Sequence, residues 1–312
     1  MGKRGGMSKA KVDIAIACSA SQHSQWTGNI LGVLLQEQAR GIEFGQIMMV
    51  SSAMPDFNKS NIAGGYINGG FANPEEKGRN LRTDANRVKA SGRFLSGMPD
   101  LNWKADWVFW IDDDTTVPVD VITRLLALDK VAVAGLYFNP LPPKNPIAYI
   151  RNKTGIGYHA FYDYPWGTLT QVDSVGMGCT LVHRSVYEKI MAEHEIFVRP
   201  DGSLWPVHKS RVFNTNDPYL SKQPPAITEL VVNGWACHRV TKPGEDDHRS
   251  WPFYAMEYGR TEDHYFWELA ASVGIRPWVD TTITCGHVKP QTMEYADYKE
   301  FLNDGKVSNS RG

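Results

Sequence analysis

The most informative stretch of the sequence is DWVFWIDDDTTVP, residues 106–118, in which an apolar run ends in Asp112, Asp113 and Asp114. A short apolar run bounded by polar residues predicts a buried strand. Ligands of open α/β sheets bind beyond the carboxyl ends of the strands. Since alternate residues of an extended chain face the same side, Asp112 and Asp114 are predicted to face one ligand together. The alternative interpretation is a polar turn before a helix that starts at Pro118.

Strands and helices alternate on either side of this stretch, which predicts an α/β fold. Short apolar runs predict the strands, and apolar residues recurring with a period of about 3.6 predict the helices. Residues 195–258 show neither pattern, carry many prolines, and are predicted to be irregular. The predicted strands are 12–20, 44–50, 106–111, 131–138, 147–151, 169–175, 179–182 and 276–285, and the predicted helices are 27–40, 80–95, 118–128, 185–192 and 261–273.

Composition and charge narrow the class of protein. The 312 residues carry a net charge of -1, so no overall charge attracts the chain to nucleic acid or to an anionic membrane. No apolar run of about 18 residues occurs, so no membrane-spanning helix is expected. The four cysteines include no CxxC pair, which disfavours a zinc site or a disulfide framework and favours a cytoplasmic protein with reduced thiols. Walker A, GxSxG and HExxH motifs are absent from the sequence.

Three further motifs carry residues suited to chemistry. Glu262 and Asp263 begin a predicted helix, where acidic residues stabilise the positive end of the helix dipole. The functional alternative is a carboxylate general base aimed at an acceptor hydroxyl. His287 follows a predicted strand and is either a structural histidine or a third ligand for an ion such as Mn²⁺. In VGMGC, residues 175–179, the glycines either let a substrate approach the backbone or satisfy packing.

In this order, the motifs resemble those of the family 2-type glycosyltransferases with the GT-A fold, over about residues 12–287. Four stretches carry the resemblance: VDIAIACSA (12–20), DWVFWIDDDTTVP (106–118), VDSVGMGCTLVHRSVYEKI (172–190) and RTEDHYFWELAASVGIRPWVDTTITCGHV (260–288). The resemblance implies a Rossmann-like, mixed and mostly parallel sheet flanked by helices in a single compact domain. The implied divisions are a disordered tail (1–11), a nucleotide-sugar-binding half (12–140), an acceptor-binding and catalytic half (141–290) and a C-terminal tail (291–312).

The resemblance also implies roles for individual residues. Asp112, Asp114 and His287 would hold Mn²⁺ or Mg²⁺ against the diphosphate of the donor, and a UDP-sugar is the expected donor. Asp263 would be the general base of an inverting transfer, and Glu262 would orient a neighbouring group or touch the acceptor. The residues implied to contact the donor nucleotide or its sugar are Ser19, Ala20, Arg79, Arg82, Asn86, Asp112, Asp113, Gly176, Met177 and Gly178.

The identity of the acceptor stays open between a glycan, a protein and a modified DNA base. Two other functions also stay open. One is a nucleotidyltransferase that uses the aspartates for metal-assisted phosphoryl chemistry. The other is a non-catalytic carbohydrate- or nucleic-acid-binding protein that uses Trp205, Trp235 and Trp251 for stacking. The compact size and the lack of a membrane anchor resemble glycosyltransferases of bacteriophages, which implies a location in the host cytoplasm.

Overall fold

The computed structural model describes residues 10–18, 24–51, 105–139, 144–154, 157–198, 204–212, 229–232, 235–239, 253–254 and 261–288. Strands and helices alternate in parts of these ranges, but the strands within residues 132–183 follow one another without a described helix between them. The strands are β1 (Lys11–Cys18), β2 (Glu43–Ser51), β3 (Trp107–Asp112), β4 (Thr115–Thr116), β5 (Ala132–Leu136), β6 (Ala148–Arg151), β7 (Tyr158–Ala160), β8 (Leu169–Gln171), β9 (Ser174–Val175), β10 (Cys179–His183), β11 (His194–Val198), β12 (Leu204–His208), β13 (Glu229–Val232), β14 (Trp235–Arg239), β15 (Trp278–Thr284) and β16 (Gly286–His287). The helices are α1 (Ser24–Ala39), α2 (Val121–Leu126), α3 (Arg184–Glu193), α4 (Lys209–Val212) and α5 (Glu262–Ser272).

The centre of the fold is a seven-stranded mixed sheet with the order β2-β1-β3-β10-β5-β15-β8. Strands β2, β1 and β3 run parallel, and so do β5 and β15. Strand β10 is antiparallel to both β3 and β5, so these two strands point in the same direction. The α/β fold with a mixed, largely parallel sheet is therefore confirmed, and strands from both predicted halves of the chain share it.

This topology brings several chain segments to one edge of the sheet. The carboxyl ends of β3, β5 and β15 lie at the same edge because the three strands are co-directional. Since β10 runs the opposite way, its amino end, which follows Gly178, lies at that edge as well. The aspartate motif, the glycine motif and the segment leading to His287 are thus neighbours, although they lie far apart in the sequence.

Strand β3 is buried on both faces, as a central strand of a layered α/β protein must be. Val108 and Trp110 pack in one core layer with α3 and α5. Phe109 and Ile111 pack in the other layer with α1 and α2. Alternation along one strand therefore supplies both layers, which explains why the sequence shows a continuous apolar run there. Among the described helices, none is long and apolar enough to cross a membrane.

The prediction that residues 195–258 are irregular is wrong for the parts of that range that the structure describes. A four-stranded sheet forms there with the order β12-β11-β14-β13, and all its described pairings are antiparallel. Its strands are only 4 or 5 residues long, too short to give a clear periodic pattern. Pro206 lies within β12, which is tolerated because β12 is an edge strand.

The helix predicted to start at Pro118 begins instead at Val121, and the proline lies in the turn before it. The backbone N–H of Val121 donates to the Pro118 carbonyl at 3.1 Å. The start of α2 is held by a distant side chain, since the Thr123 N–H donates to Oε1 of Glu37 at 3.0 Å. The Thr123 hydroxyl donates to the other carboxylate oxygen of Glu37. The start of α2 is therefore held by a contact with α1, which no local pattern reveals, while Asp120 before it makes no side-chain cap bond.

Candidate active site

Asp114 and His287 meet where β4 and β16 pair. The pairing sets His287 opposite Thr115, and the N–H of Val288 donates to the Asp114 carbonyl at 2.6 Å. As a result, Nε2 of His287 lies 3.0 Å from Oδ2 of Asp114, and the two side chains are only 17% and 20% exposed. The turn after β3 thus holds a carboxylate and the chain after β15 holds an imidazole. The two groups lie close together and are largely shielded from solvent.

The hydrogen bond on the other side of the ring fixes how His287 faces Asp114. Nδ1 of His287 lies 3.0 Å from the Phe138 carbonyl, which can only accept, so Nδ1 carries a proton. In a neutral ring, the lone pair on Nε2 then faces a carboxylate oxygen, and two acceptors at that distance repel each other. Either a second proton or a cation between them removes the repulsion. Metal-binding histidines commonly donate their other N–H to a backbone carbonyl in this way.

The pair fits a divalent cation by chemistry and by spacing. The carboxylate suits Mn²⁺ and Mg²⁺, and the imidazole is a common ligand of transition-metal ions. Adjacent ligands of an octahedral ion with bonds of about 2.1 Å lie about 3.0 Å apart, which is the separation of this pair. The neighbouring Thr115 hydroxyl is buried and has no hydrogen-bond partner among the described residues. In that part of the chain, however, no group of three or more His, Cys, Asp or Glu side chains is arranged to hold a metal.

Asp263 lies against the glycine motif, at the start of α5. Its Oδ2 accepts a hydrogen bond from the Met177 N–H at 3.3 Å. The predicted cap of this helix is confirmed, since the Thr261 side chain accepts from the N–H of His264. Glu262, in the same turn, is buried, and its charge lies close enough to Tyr254 to add to the effect of burial in raising the pKa of that tyrosine. The helix start therefore holds two carboxylates in fixed directions.

Tyr137 lies at the centre of these segments. It follows β5 directly, and its hydroxyl accepts a hydrogen bond from the Gly178 N–H at 3.0 Å. A Cβ at Gly176 would lie 2.0 Å from that hydroxyl, and one at Gly178 would lie 2.9 Å from it. Its ring also contacts His287 edge-on, with 5.9 Å between ring centroids. Both glycines of the motif therefore leave room for a tyrosine of the protein itself.

The charges of Asp112 and Asp263, which lie on different elements of the candidate site, both act on Tyr137. Burial raises the pKa of the Tyr137 hydroxyl well above its ordinary value, and the carboxylates of Asp112 and Asp263 raise it further. The hydroxyl stays protonated at physiological pH, so it can donate one hydrogen bond while it accepts another. Burial and the charge of Asp263 also raise the pKa of Tyr149, on β6. Asp112 at the end of β3 and Asp263 on α5 thus act on the same phenol.

The turn that carries the aspartates is clamped by α1. The side chain of Asn29 donates to the Val117 carbonyl and accepts from the Val117 N–H, both at 2.9 Å. A paired contact of this kind satisfies both backbone groups of one residue and holds that residue in a single position. The chain between the end of β3 and the start of α2 is therefore fixed from outside by Asn29 and Glu37.

The structure describes only some of the residues predicted for the site. Asp112 ends β3 and is half-buried, whereas Asp113 and Asp114 lie in the turn before β4, where Asp113 is buried and Asp114 is half-buried. The extended chain from which a common direction of Asp112 and Asp114 was predicted therefore ends at Asp112. Sequence reasoning missed Tyr137 and Tyr149. A signal existed for Tyr137, because it follows a buried strand just as the aspartates do. The predicted donor contacts Ser19, Ala20, Arg79, Arg82 and Asn86, the predicted helix 80–95, and Trp251 lie outside the described residues.

Comparisons with known proteins do not assign the chain to a family. Neither a family model nor a curated protein matches the sequence. Among solved structures, the chain is similar to the crystal structure of A197 from STIV, at 11% identity and a TM-score of 0.33, over 90% of this chain and 86% of that one. A similarity at that TM-score assigns neither a fold family nor a function to this chain.

Proposed function

We propose that this protein is a metal-dependent glycosyltransferase of the GT-A fold, which moves a sugar from a nucleotide-diphosphate sugar to an acceptor hydroxyl. The observation that supports this most is the convergence around Tyr137 of motifs that are far apart in the sequence. Asp112, Asp263 and His287 all act on or touch this one side chain. The expected donor is a UDP-sugar, and the acceptor class is a glycan, a protein or a modified DNA base.

At the donor end, Asp114 and His287 would hold Mn²⁺ or Mg²⁺, with Asp112 as the further carboxylate. The bound cation would supply charge neutralisation for the departing nucleoside diphosphate. The chain's own contribution is to hold the two ligands together in a largely buried place, 3.0 Å apart. The hydrogen bond from Nδ1 to the Phe138 carbonyl keeps the ring of His287 turned so that Nε2 faces the carboxylate.

At the acceptor end, Asp263 would accept the proton of the attacking hydroxyl. The hydrogen bond from the Met177 N–H orients one of its oxygens, and the capped helix start fixes its backbone. A rigid, oriented carboxylate is what general base catalysis requires. Glu262 is buried beside it and would act as a positioning residue. A displacement by a hydroxyl activated in this way would invert the configuration at the anomeric carbon.

The donor end is tested by binding nucleoside diphosphates. Thermal-shift and calorimetric titrations with UDP, GDP, CDP and dTDP are run with Mn²⁺ and with EDTA. The expected result is stabilisation by one diphosphate, UDP first of all, only when Mn²⁺ is present. His287→Ala should lose this metal-dependent part, whereas the control His159→Ala, at an exposed position, should keep it. Equal binding in EDTA would argue for a protonated His287–Asp114 pair with no metal role.

The acceptor end is tested by turnover. Release of nucleoside diphosphate from nucleotide sugars is followed for the wild type, Asp263→Asn and the control Asp163→Asn, whose side chain is exposed. Loss of a positioned general base lowers a rate by about 10²–10⁴-fold, and nucleotide binding should be nearly unchanged. Release of pyrophosphate from a nucleoside triphosphate would identify a nucleotidyltransferase instead. Unchanged turnover by Asp263→Asn would exclude this residue as the base.

A further inference from the structure

A pocket lies between β12 of the four-stranded sheet and the helix α5. Its volume is about 360 Å³, within the range of about 300–1,000 Å³ that is typical of ligand sites. On the helix side, Tyr265, Glu268 and Ser272 recur at the i, i+3, i+7 spacing of a single helix face. Asp263 lies outside this stripe, so the pocket is distinct from the candidate active site. The sheet side contributes Trp205 and His208, and His194 lies beside them.

The lining offers both donors and acceptors of hydrogen bonds. Nδ1 of His208 accepts from the Ser210 N–H at 3.2 Å, so a neutral ring carries its proton on Nε2 and donates from there. The Ser272 hydroxyl lies 2.6 Å from the Leu269 carbonyl and 3.1 Å from Nε2 of His194. Nδ1 of His194 donates to the Ile190 carbonyl at 2.7 Å, so Nε2 of the neutral ring is an acceptor, and one hydroxyl proton is shared between two acceptors. A ligand hydroxyl that enters the pocket would supply a second hydrogen-bond donor for these two acceptors.

The charge of the lining disfavours an anionic ligand. Glu268 is an acidic side chain of the pocket, and Arg151 pairs with it from outside the lining, with Nη2 3.6 Å from Oε1. Neither lysine nor arginine is among the lining residues themselves, so no cationic side chain faces a ligand there. Burial lowers the pKa of His194 to about 4, so its ring is neutral at physiological pH. Phosphate and carboxylate ligands need cationic partners, which this lining does not supply. A neutral ligand rich in hydroxyl groups meets all the polar groups without a charge penalty.

The indole of Trp205 adds an apolar face to this polar lining. Its ring packs on Phe197 and Val207, which supports it from below. Pyranose rings combine an apolar C–H face with hydroxyls around the rim, so an aromatic ring beside a carboxylate and an imidazole complements them. We propose that this pocket binds a neutral saccharide, with Trp205 against the C–H face of the ring and Glu268 and His208 bonded to its hydroxyls.

A chain of contacts connects this saccharide site to the candidate active site. Glu268 accepts a long hydrogen bond of 3.4 Å from the Tyr158 hydroxyl. The Tyr158 ring stacks on His264 with 4.4 Å between centroids, and His264 follows Asp263 in the sequence. A saccharide in the pocket would therefore be connected to Asp263 through Glu268, Tyr158 and His264. In a glycosyltransferase it would be a remote part of an acceptor glycan, but the binding itself requires no donor or metal.

The proposal is tested without nucleotide and in EDTA, so that its outcome is independent of the transferase proposal. The labelled 312-residue protein is applied to an array of neutral oligosaccharides of glucose, galactose, mannose and N-acetylhexosamines, together with sialylated and sulfated glycans. The expected result is binding to neutral glycans alone. Binding to none of them, or only to the acidic glycans or to nucleic acid, would overturn the proposal.

Variants then locate the site, with the best neutral glycan as the calorimetric probe. Trp205→Ala and Glu268→Gln should each weaken binding about tenfold or more. The control Trp166→Ala should keep it, because Trp166 is 66% exposed and lies outside the pocket. Glu268→Gln preserves the shape of the side chain, so it remains informative if Trp205→Ala unfolds the small sheet. Wild-type affinity in Glu268→Gln, or in a folded Trp205→Ala, would show that the glycan binds elsewhere.

Discussion

Replacing Gly176 by alanine tests whether Tyr137 occupies the centre of the candidate site. The added Cβ would lie 2.0 Å from the Tyr137 hydroxyl and 2.6 Å from Cγ2 of Ile147, closer than real Cβ atoms approach. Because Tyr137 and the strands around it are buried, the ring cannot simply swing into solvent. Gly28 provides the matched control, since it lies within α1 and nothing lies within 4 Å of its added Cβ.

The magnitude follows from two contributions. Overpacking a buried position costs about 1–3 kcal/mol. Displacing the Tyr137 ring also breaks its hydrogen bond from the Gly178 N–H, which adds about 0.5–1.5 kcal/mol. Gly176→Ala should therefore destabilise the protein by roughly 2–4 kcal/mol. Gly28→Ala should have the opposite sign and stabilise it by about 0.5–1 kcal/mol, because alanine has the higher helix propensity.

The assay is urea unfolding of both alanine variants, alone and combined with Tyr137→Phe. Removing the hydroxyl removes the closest contact, so Gly176→Ala should cost less in the Tyr137→Phe background, while the effect of Gly28→Ala should be unchanged there. Coupling between contacting residues is typically about 0.5–3 kcal/mol in such cycles. A stable Gly176→Ala variant, or equal costs in the two backgrounds, would refute the position assigned to Tyr137.

Three further predictions concern other parts of the fold. Stability should fall as the pH drops from 6.5 to about 4, because burial holds the folded-state pKa of His194 near 4 while the unfolded chain takes up the proton near 6.5. Urea titrations at about pH 5 and about pH 7 should show this difference reduced in His194→Gln, and an undiminished difference would contradict it. Asn29→Ala should destabilise the protein by about 1–3 kcal/mol and weaken diphosphate binding, since it releases the turn after β3, whereas Gln36→Ala on the exposed side of α1 should do neither. Tyr187→Phe should cost about 1–3 kcal/mol in thermal unfolding, because the buried Trp110 N–H that donates to this hydroxyl at 2.8 Å loses its acceptor, and a neutral effect would exclude that bond.

The sequence predicted β3 and β5 of the central sheet well because these strands are buried on both faces. The predicted strand 169–175 divides instead into β8 and β9, which belong to different sheets. The predicted strand 106–111 corresponds to β3 (Trp107–Asp112), and the predicted helix 261–273 to α5 with Thr261 as its cap. Residues 195–258 were misread because a short edge strand such as β12 tolerates Pro206 and gives no long apolar run. The start of α2 was misplaced for another reason, since Glu37 holds it from 86 residues away.

The roles proposed for the metal ligands and the base remain predictions, and they rest on contacts that no local pattern contains. Composition and periodicity alone determined the class of fold, because burial of a strand on two faces leaves a direct mark on the residues within it. Only the tertiary structure decided that Asp114 faces His287, that Asp263 bonds to the Met177 N–H, and that Tyr137 fills the space above Gly176. Those contacts depend on the order and direction of strands in the sheet, which long-range packing selects and which neighbouring residues in the sequence do not encode.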